Sequence, residues 1–147
     1  MNAPTPELIA TKVVTAAVGA MPAVMELGRL FEGAGFELAL VGGSVRDLLV
    51  NRPSTDVDFT TDARPEDIVR VVEAWAETVW DVGMAFGTVG VRKADFHAEI
   101  TTYRAEQYDS GSRKPVVAFG NSLEDDLLRR DFTINAMAVR VPDLTFV

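Results

Sequence analysis

The sequence contains no cysteine, and this absence excludes two kinds of site. Neither a disulfide framework nor a thiolate metal site can form without cysteine. A chain without disulfides is suited to a reducing compartment, so we expect a cytoplasmic protein.

The sequence also lacks a long hydrophobic run. Its most apolar early stretch, from Val13 to Met25, is interrupted by Thr15, Gly19 and Pro22. No cluster of basic residues precedes this stretch, as a secretory signal would require, and the interruptions make it unsuitable as a membrane span. The sequence therefore predicts no membrane partner.

Basic residues are few relative to acidic ones. The chain has 14 lysines and arginines against 22 aspartates and glutamates, which gives a net charge of −8. Such a charge argues against a broad nucleic-acid surface, so any contact with RNA must be local or lie elsewhere. Eleven of the 14 basic residues are arginines, which suit bidentate phosphate contacts. A bias in genomic base composition explains this excess equally well.

The residues that are present predict one domain of mixed secondary structure. The chain has 147 residues, 48% of them hydrophobic, which is enough for a single core. We expect an N-terminal helical segment at residues 1–35, with Pro22 at a first helical position, and a second unit at residues 36–147. The pattern predicts an α/β (α+β) fold. We expect strands at 36–41, 55–60, 78–82 and 134–141, and two more strands within 87–103 that are joined by a turn at 93–95. Helices are predicted to begin at Ser44, Pro65 and Ser122, and residues 103–121 are predicted to form a mobile loop.

The segment TDVDFT carries two aspartates that share one face of a predicted strand. Asp56 and Asp58 alternate with Val57 and Phe59, which face the core. Two neighbouring carboxylates repel each other unless they share a proton or bind a cation. Mg²⁺ prefers such oxygen ligands together with substrate phosphates. The pair is a candidate metal site, and the alternative is a solvated D-x-D on an edge strand.

A Gly-Gly turn precedes this strand and predicts an anion site. Gly42 and Gly43 lie between a buried strand and a helix that begins at Ser44, where free backbone N–H groups favour a phosphate. Arg46 lies one turn into that helix and could reach the same phosphate. The alternatives are a purely structural turn and a surface ion pair of Arg46 with Asp47.

Two later segments add candidate residues. In ADFHAEITTY, Glu99 alternates with apolar residues, so a neighbouring strand could place it beside Asp56 and Asp58 as a third acid. His97 shares that face, and we assign it no role. The segment RRDFTINAM could offer cations to phosphate and polar groups to sugar hydroxyls, or it could be an ordinary basic helix end. Its candidate residues are Arg130, Asp131 and Asn135, preceded by Arg129.

Four segments resemble, in this order and at these spacings, the head domain of the class II tRNA nucleotidyltransferases (CCA-adding enzymes) and the related bacterial poly(A) polymerases. These enzymes belong to the DNA polymerase β-like nucleotidyltransferase superfamily. The resemblance covers about residues 38–141 and implies a mixed β-sheet flanked by helices. The four segments are GGSVRD (42–47), DVDF (56–59), HAEITTYR (97–104) and LEDDLLRRDFTINAMA (123–138).

The resemblance implies a role for each candidate residue. Asp56 and Asp58 match the Mg²⁺ ligands of the family, and Glu99 matches its third catalytic carboxylate. Gly43 and Arg46 match triphosphate contacts. Arg130 and Asp131 match the motif for the incoming nucleotide and its ribose, which also contains Asn135. The implied activity is the addition of CCA to tRNA 3′ ends from CTP and ATP.

One part of the family pattern is absent from these residues. The family selects the base with a Glu-Asp-x-x-Arg motif in a neck domain and binds tRNA mainly through body and tail domains. We expect the chain to be cut short before those domains, and we expect little or no accurate CCA addition by the chain alone. The alternatives are a poly(A) polymerase, a nucleotide-binding module without turnover, and a purely structural domain.

Overall fold

The structure is a computed structural model that describes residues 12, 16–41, 56–83, 87–107, 116–119, 122–123, 126 and 138–146. Side chains are described for these residues except 56, 104–107, 116–119 and 145–146. Within them, no helix is long and apolar enough to cross a bilayer.

Helix α1 spans Pro22–Gly33 and begins at the predicted proline, after a helical turn at residues 16–19. Proline suits the first helical position because its missing N–H has no partner there. Gly28 lets the helix approach the turn at residues 141–144 closely, since a Cβ at this position would lie 2.9 Å from the backbone nitrogen of Pro142. One face of the helix is buried, through Val24, Leu27, Gly28 and Phe31.

The described residues include nine strands: β1 Leu38–Val41, β2 Asp56–Thr61, β3 Thr78–Gly83, β4 Thr88–Lys93, β5 Phe96–Thr102, β6 Arg104–Gln107, β7 Val116–Phe119, β8 Ala138–Arg140 and β9 Thr145–Phe146. Seven of them form the main sheet, in the order β3-β4-β5-β2-β1-β8-β9. Strands β2 and β5 are parallel, and every other neighbouring pair in this sheet is antiparallel. The implied mixed sheet with helices is therefore confirmed.

The second helix, α2, spans Pro65–Val72 and lies between β2 and β3 in the chain. Glu66 and Asp67 lie in its first turn, where negative charge favours the helix dipole. The helix ends before Trp75, although the sequence pattern extends to that residue. Trp75 instead lies in the turn that follows, and its backbone N–H donates to Val72.

Both helices cover one face of the main sheet, which we call the closed face. Strands β2 and β5 place Val57, Phe59, Ala98 and Ile100 there, each no more than 3% exposed. These side chains belong to one apolar core with residues of α1 and α2. The opposite face of the same strands, which we call the open face, carries polar side chains at the alternate positions.

A second, smaller core covers the open side of β1. It consists of Ala39, Val41, Tyr103, Leu123 and Ala138. The Tyr103 hydroxyl donates to Glu37 Oε2 at 3.1 Å. Burial, and next the Glu37 carboxylate, raises the pKa of the Tyr103 phenol well above its usual value. This core does not cover Asp58, His97 and Glu99, which are exposed on the open face of β2 and β5.

The prediction of a mobile loop over residues 103–121 is wrong at both ends of that segment. Tyr103 is buried, and β6 pairs with β7 in a separate antiparallel ladder from Arg104↔Phe119 to Gln107↔Val116. Glycine, serine and proline in the connection obscured a short strand signal in VVAF. Residues 108–115 lie outside the described part of the chain.

Candidate active site

The two parallel strands place acidic residues side by side. In the register of β2 and β5, Asp58 is the partner of Glu99, and Asp56 is the partner of His97. Neighbouring strands lie about 4.8 Å apart, so the Asp58 and Glu99 side chains leave the sheet at adjacent points. The predicted adjacency of Glu99 and Asp58 is confirmed. Their roles stay predictions.

Alternation along the strands separates these acids from the core. Asp58, His97 and Glu99 are exposed on the open face. Their neighbours in sequence, Val57 and Ala98, are 2% and 3% exposed on the closed face. The carboxylates are therefore accessible to solutes while their backbone is fixed by the core.

The strand that carries Asp56 and Asp58 does not lie at the edge of the sheet. Strand β2 is flanked by β5 on one side and β1 on the other. The alternative reading of D-x-D as an edge-strand feature is therefore wrong in its location. A central strand is held on both sides by backbone hydrogen bonds, which favours a rigid site.

Threonines continue the open face beyond the acids. Thr60 donates through its hydroxyl to the Thr101 carbonyl at 3.1 Å. The hydroxyls of Thr88 and Thr101 are 3.0 Å apart and share a hydrogen bond. These contacts link β2, β5 and β4 next to the acidic pair, and they satisfy polar groups that are partly removed from water.

A pocket of about 310 Å³ opens beside the acids. It is lined by Val57, Asp58, Trp80, His97, Ala98 and Glu99. Trp80 on β3 is 39% exposed and lies over Gly90 on β4. Sequence reasoning missed Trp80, although its place in TVWDV put a large aromatic at an alternating strand position.

The donor set fits a hard divalent cation. Asp58 and Glu99 supply carboxylate oxygens on adjacent strands, which is the ligand chemistry of Mg²⁺. Among the side chains that the structure describes, no group of three or more potential ligands is close enough to form a complete metal site. The third predicted acid, Asp56, has its backbone in β2, and its side chain is outside the described set.

Several predicted nucleotide contacts fall outside the described residues. They follow β1 directly or precede β8 in the chain. These residues are Gly42, Gly43, Ser44, Arg46, Arg130, Asp131 and Asn135.

Comparison with known proteins assigns the family. Residues 38–147 match the family model described as the poly A polymerase head domain. The chain belongs to this head-domain family. The match includes every candidate site residue named above, from Gly42 to Asn135.

The curated relatives are named CCA-adding enzymes. The relative from Listeria innocua is 50% identical over 107 residues, which are 72% of this chain and 26% of that protein. The relative from Enterococcus faecalis is 46% identical over 121 residues, which are 82% of this chain and 28% of that protein. The chain thus spans about a quarter of the length of these relatives.

Solved structures of the same kind share the fold. The Bacillus stearothermophilus CCA-adding enzyme in complex with CTP is 37% identical, with a TM-score of 0.67 over 84% of this chain and 28% of that one. A tRNA nucleotidyltransferase complexed with a primer tRNA and an incoming ATP analog is 30% identical, with a TM-score of 0.59 over 82% of this chain and 33% of that one. The expected polymerase β-like nucleotidyltransferase fold is confirmed.

Proposed function

We propose that the chain is the catalytic head domain of a tRNA nucleotidyltransferase that adds CCA to tRNA 3′ ends from CTP and ATP. The proposal is carried by the pairing of Asp58 with Glu99 on the open face of a head-domain family member. It is supported by the relatives named CCA-adding enzymes and by the solved relative that holds CTP.

A divalent metal ion is part of the proposal. CCA-adding nucleotidyltransferases are metal-dependent enzymes, and we propose Mg²⁺ held by Asp56 and Asp58. When bound, the ion would polarise phosphoryl oxygens and offset the negative charge of the site. Both aspartates lie on β2, where Asp58 lies between the core residues Val57 and Phe59 and Asp56 directly precedes Val57, so the core would hold them in place.

Other residues of the chain would act on the acceptor hydroxyl, the triphosphate and the ribose. Glu99 would help to orient the metal ion or would accept the proton of the attacking 3′-hydroxyl. Backbone N–H groups at Gly42, Gly43 and Ser44 would bind the triphosphate. The other proposed contacts are the guanidinium groups of Arg46 and Arg130 to phosphate, and the polar groups of Asp131 and Asn135 to ribose.

The reaction is an in-line displacement at the α-phosphate. The acceptor oxygen forms a bond to phosphorus, the bond to the pyrophosphate oxygen breaks, and the hydroxyl proton leaves towards Glu99. No covalent bond to the protein is needed. Positioning and electrostatic stabilisation therefore account for most of the rate.

A nucleotide titration of the 147-residue chain tests this proposal. CTP binding is measured by calorimetry with Mg²⁺ and with EDTA, for wild type, Asp58→Asn and Asp56→Ala. We expect Mg²⁺-dependent binding that weakens by at least about tenfold in either variant, since even outer-sphere partners of a metal contribute 10- to 100-fold to its affinity. Glu73→Gln is the matched control, because Glu73 is an exposed acid at the end of α2. Equal CTP affinity in all four proteins would refute the proposed site and favour a structural domain.

A poly(A) polymerase is the second candidate, because the matching family model carries that description. The two are separated by expressing the native gene that contains this sequence and supplying its product with tRNA that lacks its 3′ end. Addition of CMP followed by AMP supports CCA addition, and runs of AMP alone support the polymerase. A nucleotide-binding module would bind CTP in the titration and transfer nothing here. The 147-residue chain alone should add little accurate CCA, and efficient addition by it would contradict this expectation.

The boundaries and the location belong to the same proposal. We assign residues 1–35 to an N-terminal helical segment and residues 36–147 to the head domain. A cytoplasmic location follows from the proposed substrate, tRNA.

A further inference from the structure

A row of paired residues across four neighbouring strands places an aromatic side chain on the open face in line with Glu99 and Asp58. Trp80 on β3 is the partner of Gly90 on β4, Gly90 is the partner of Glu99, and Glu99 is the partner of Asp58. A Cβ at Gly90 would lie 2.6 Å from both Cζ2 and Nε1 of the Trp80 indole. The indole therefore extends across β4 towards Glu99, over the space that the glycine leaves.

The two tryptophans of the chain have different surroundings. Trp75, near the closed face, packs edge-to-face on Phe96, with 6.3 Å between the ring centroids. Lys93 Nζ lies 4.7 Å from the centroid of the Trp75 ring, and the indole N–H donates to Glu26 Oε2 at 3.2 Å. Trp80 is 39% exposed. In the described part of the chain, no ring stacks on Trp80 and no group accepts a hydrogen bond from its indole. Trp80 therefore presents aromatic surface to the pocket, which it lines together with Asp58 and Glu99.

The position of Trp80 relative to Asp58 and Glu99 indicates which substrate would contact its indole ring. The predicted triphosphate contacts Gly42 and Gly43 follow Val41, the last residue of β1, which adjoins β2 on the side away from β5. A triphosphate held there would approach the acids from the β1 side. The β5-β4-β3 side is then left for the acceptor strand, and Trp80 lies on that side.

We propose that Trp80 is a stacking platform for the base of the acceptor nucleotide whose 3′-hydroxyl reacts at Asp58 and Glu99. This inference rests on the proposed function. Stacking on an aromatic ring tolerates every base, which suits an acceptor whose terminal base changes with each addition. An uncharged contact also suits this acidic surface, where carboxylates repel RNA phosphates.

Tryptophan fluorescence of the 147-residue chain tests the contact directly. A Trp75→Phe background leaves Trp80 as the single tryptophan. The probe is a 12-nucleotide single-stranded RNA with a 3′-terminal cytidine, added with Mg²⁺ and without CTP. We expect quenching of Trp80 emission on binding, and no comparable quenching of Trp75 in a Trp80→Phe chain. Equal behaviour of both single-tryptophan chains would overturn the proposal.

Kinetics separate stacking from a structural role of the indole. In a chimera that joins this chain to the remainder of the Listeria innocua enzyme, Trp80→Leu should raise KM for acceptor tRNA by roughly tenfold, the loss expected for one stacked base. Trp80→Phe should restore most of that loss, and KM for CTP should stay at the wild-type value in both. Gly90→Ala should resemble Trp80→Leu, because the added methyl group displaces the indole.

Two results would count against the platform. If Leu and Phe at position 80 give the same tRNA KM, aromatic stacking is not the contact. If both variants also lose CTP affinity, the indole serves only to hold the sheet. Either result leaves the proposed function intact when Asp58→Asn still weakens Mg²⁺-dependent CTP binding, so the two failures are distinguishable.

Discussion

The closed and open faces of β2 and β5 are built from alternating residues of the same two strands. On the closed face, Phe59 and Ile100 are fully packed under the helices, whereas on the open face Asp58 and Glu99 are exposed one position away. Side chains on the closed face thus stabilise the fold, whereas side chains on the open face are available to the candidate site. Substitutions on the two faces should therefore have different consequences even where the residues are adjacent.

The largest expected effect is on the closed face. Phe59→Ala should lower the free energy of unfolding by about 3–5 kcal/mol, because it removes a buried ring and leaves a cavity. Urea unfolding followed by circular dichroism measures the change. Glu99→Gln on the neighbouring strand is the control and should stay within about 0.5 kcal/mol of wild type. Similar losses for the two variants would show that the faces are not separate.

A smaller effect is expected where the closed face carries a polar group. Thr102 is fully buried, and its hydroxyl donates to the Ala63 carbonyl at 2.7 Å. Thr102→Val keeps the shape but leaves that carbonyl without its donor, so we expect a loss of about 1–3 kcal/mol in the free energy of unfolding. Thr101→Val, half-buried on the open face, is the comparison and should cost less. A larger loss of unfolding free energy in Thr101→Val than in Thr102→Val would contradict the assigned roles of these hydroxyls.

The smallest effect should depend on pH. Tyr103→Phe removes the hydrogen bond to Glu37, which we expect to contribute about 1 kcal/mol at neutral pH. The pKa of Tyr103 is raised in the folded state, whereas tyrosine in the unfolded chain ionises near its ordinary pKa of about 10. Ionisation of the unfolded state should therefore remove stability from wild type as the pH rises above about 10.

Phenylalanine cannot ionise, so the variant should lose less stability over the same range. Unfolding at pH 7 and at pH 10.5 measures the difference between the two proteins. A wild-type advantage that grows with pH would contradict the direction of the pKa shift.

Local pattern predicted much of this comparison. Alternation in DVDF and HAEI indicated which side chains leave each face, and Pro22 and Pro65 marked the starts of α1 and α2. These features depend on residues close in sequence. The shared face of Asp56 and Asp58 was predicted for the same reason, because the segment that carries them has a period of two.

The remaining features depend on pairing between distant segments. Strands β2 and β5 are parallel with some forty residues between partners such as Asp58 and Glu99, and alternation alone does not fix such a register. Trp80 was missed because its relation to Glu99 exists only through Gly90. The two-residue strand β9 was missed because it is too short to show a pattern, and the ladder of β6 and β7 was missed because turn residues dominate that segment.

Mn²⁺ binding shows whether acids of the open face hold a divalent cation for a nucleotide, as we propose. Electron paramagnetic resonance reports free Mn²⁺ as it is titrated into the 147-residue chain with CTP. We expect binding that weakens at least about tenfold in Asp58→Asn and also weakens in Glu99→Gln, while Glu73→Gln matches wild type. Unchanged Mn²⁺ binding in both open-face variants would rule out a cation held by these acids.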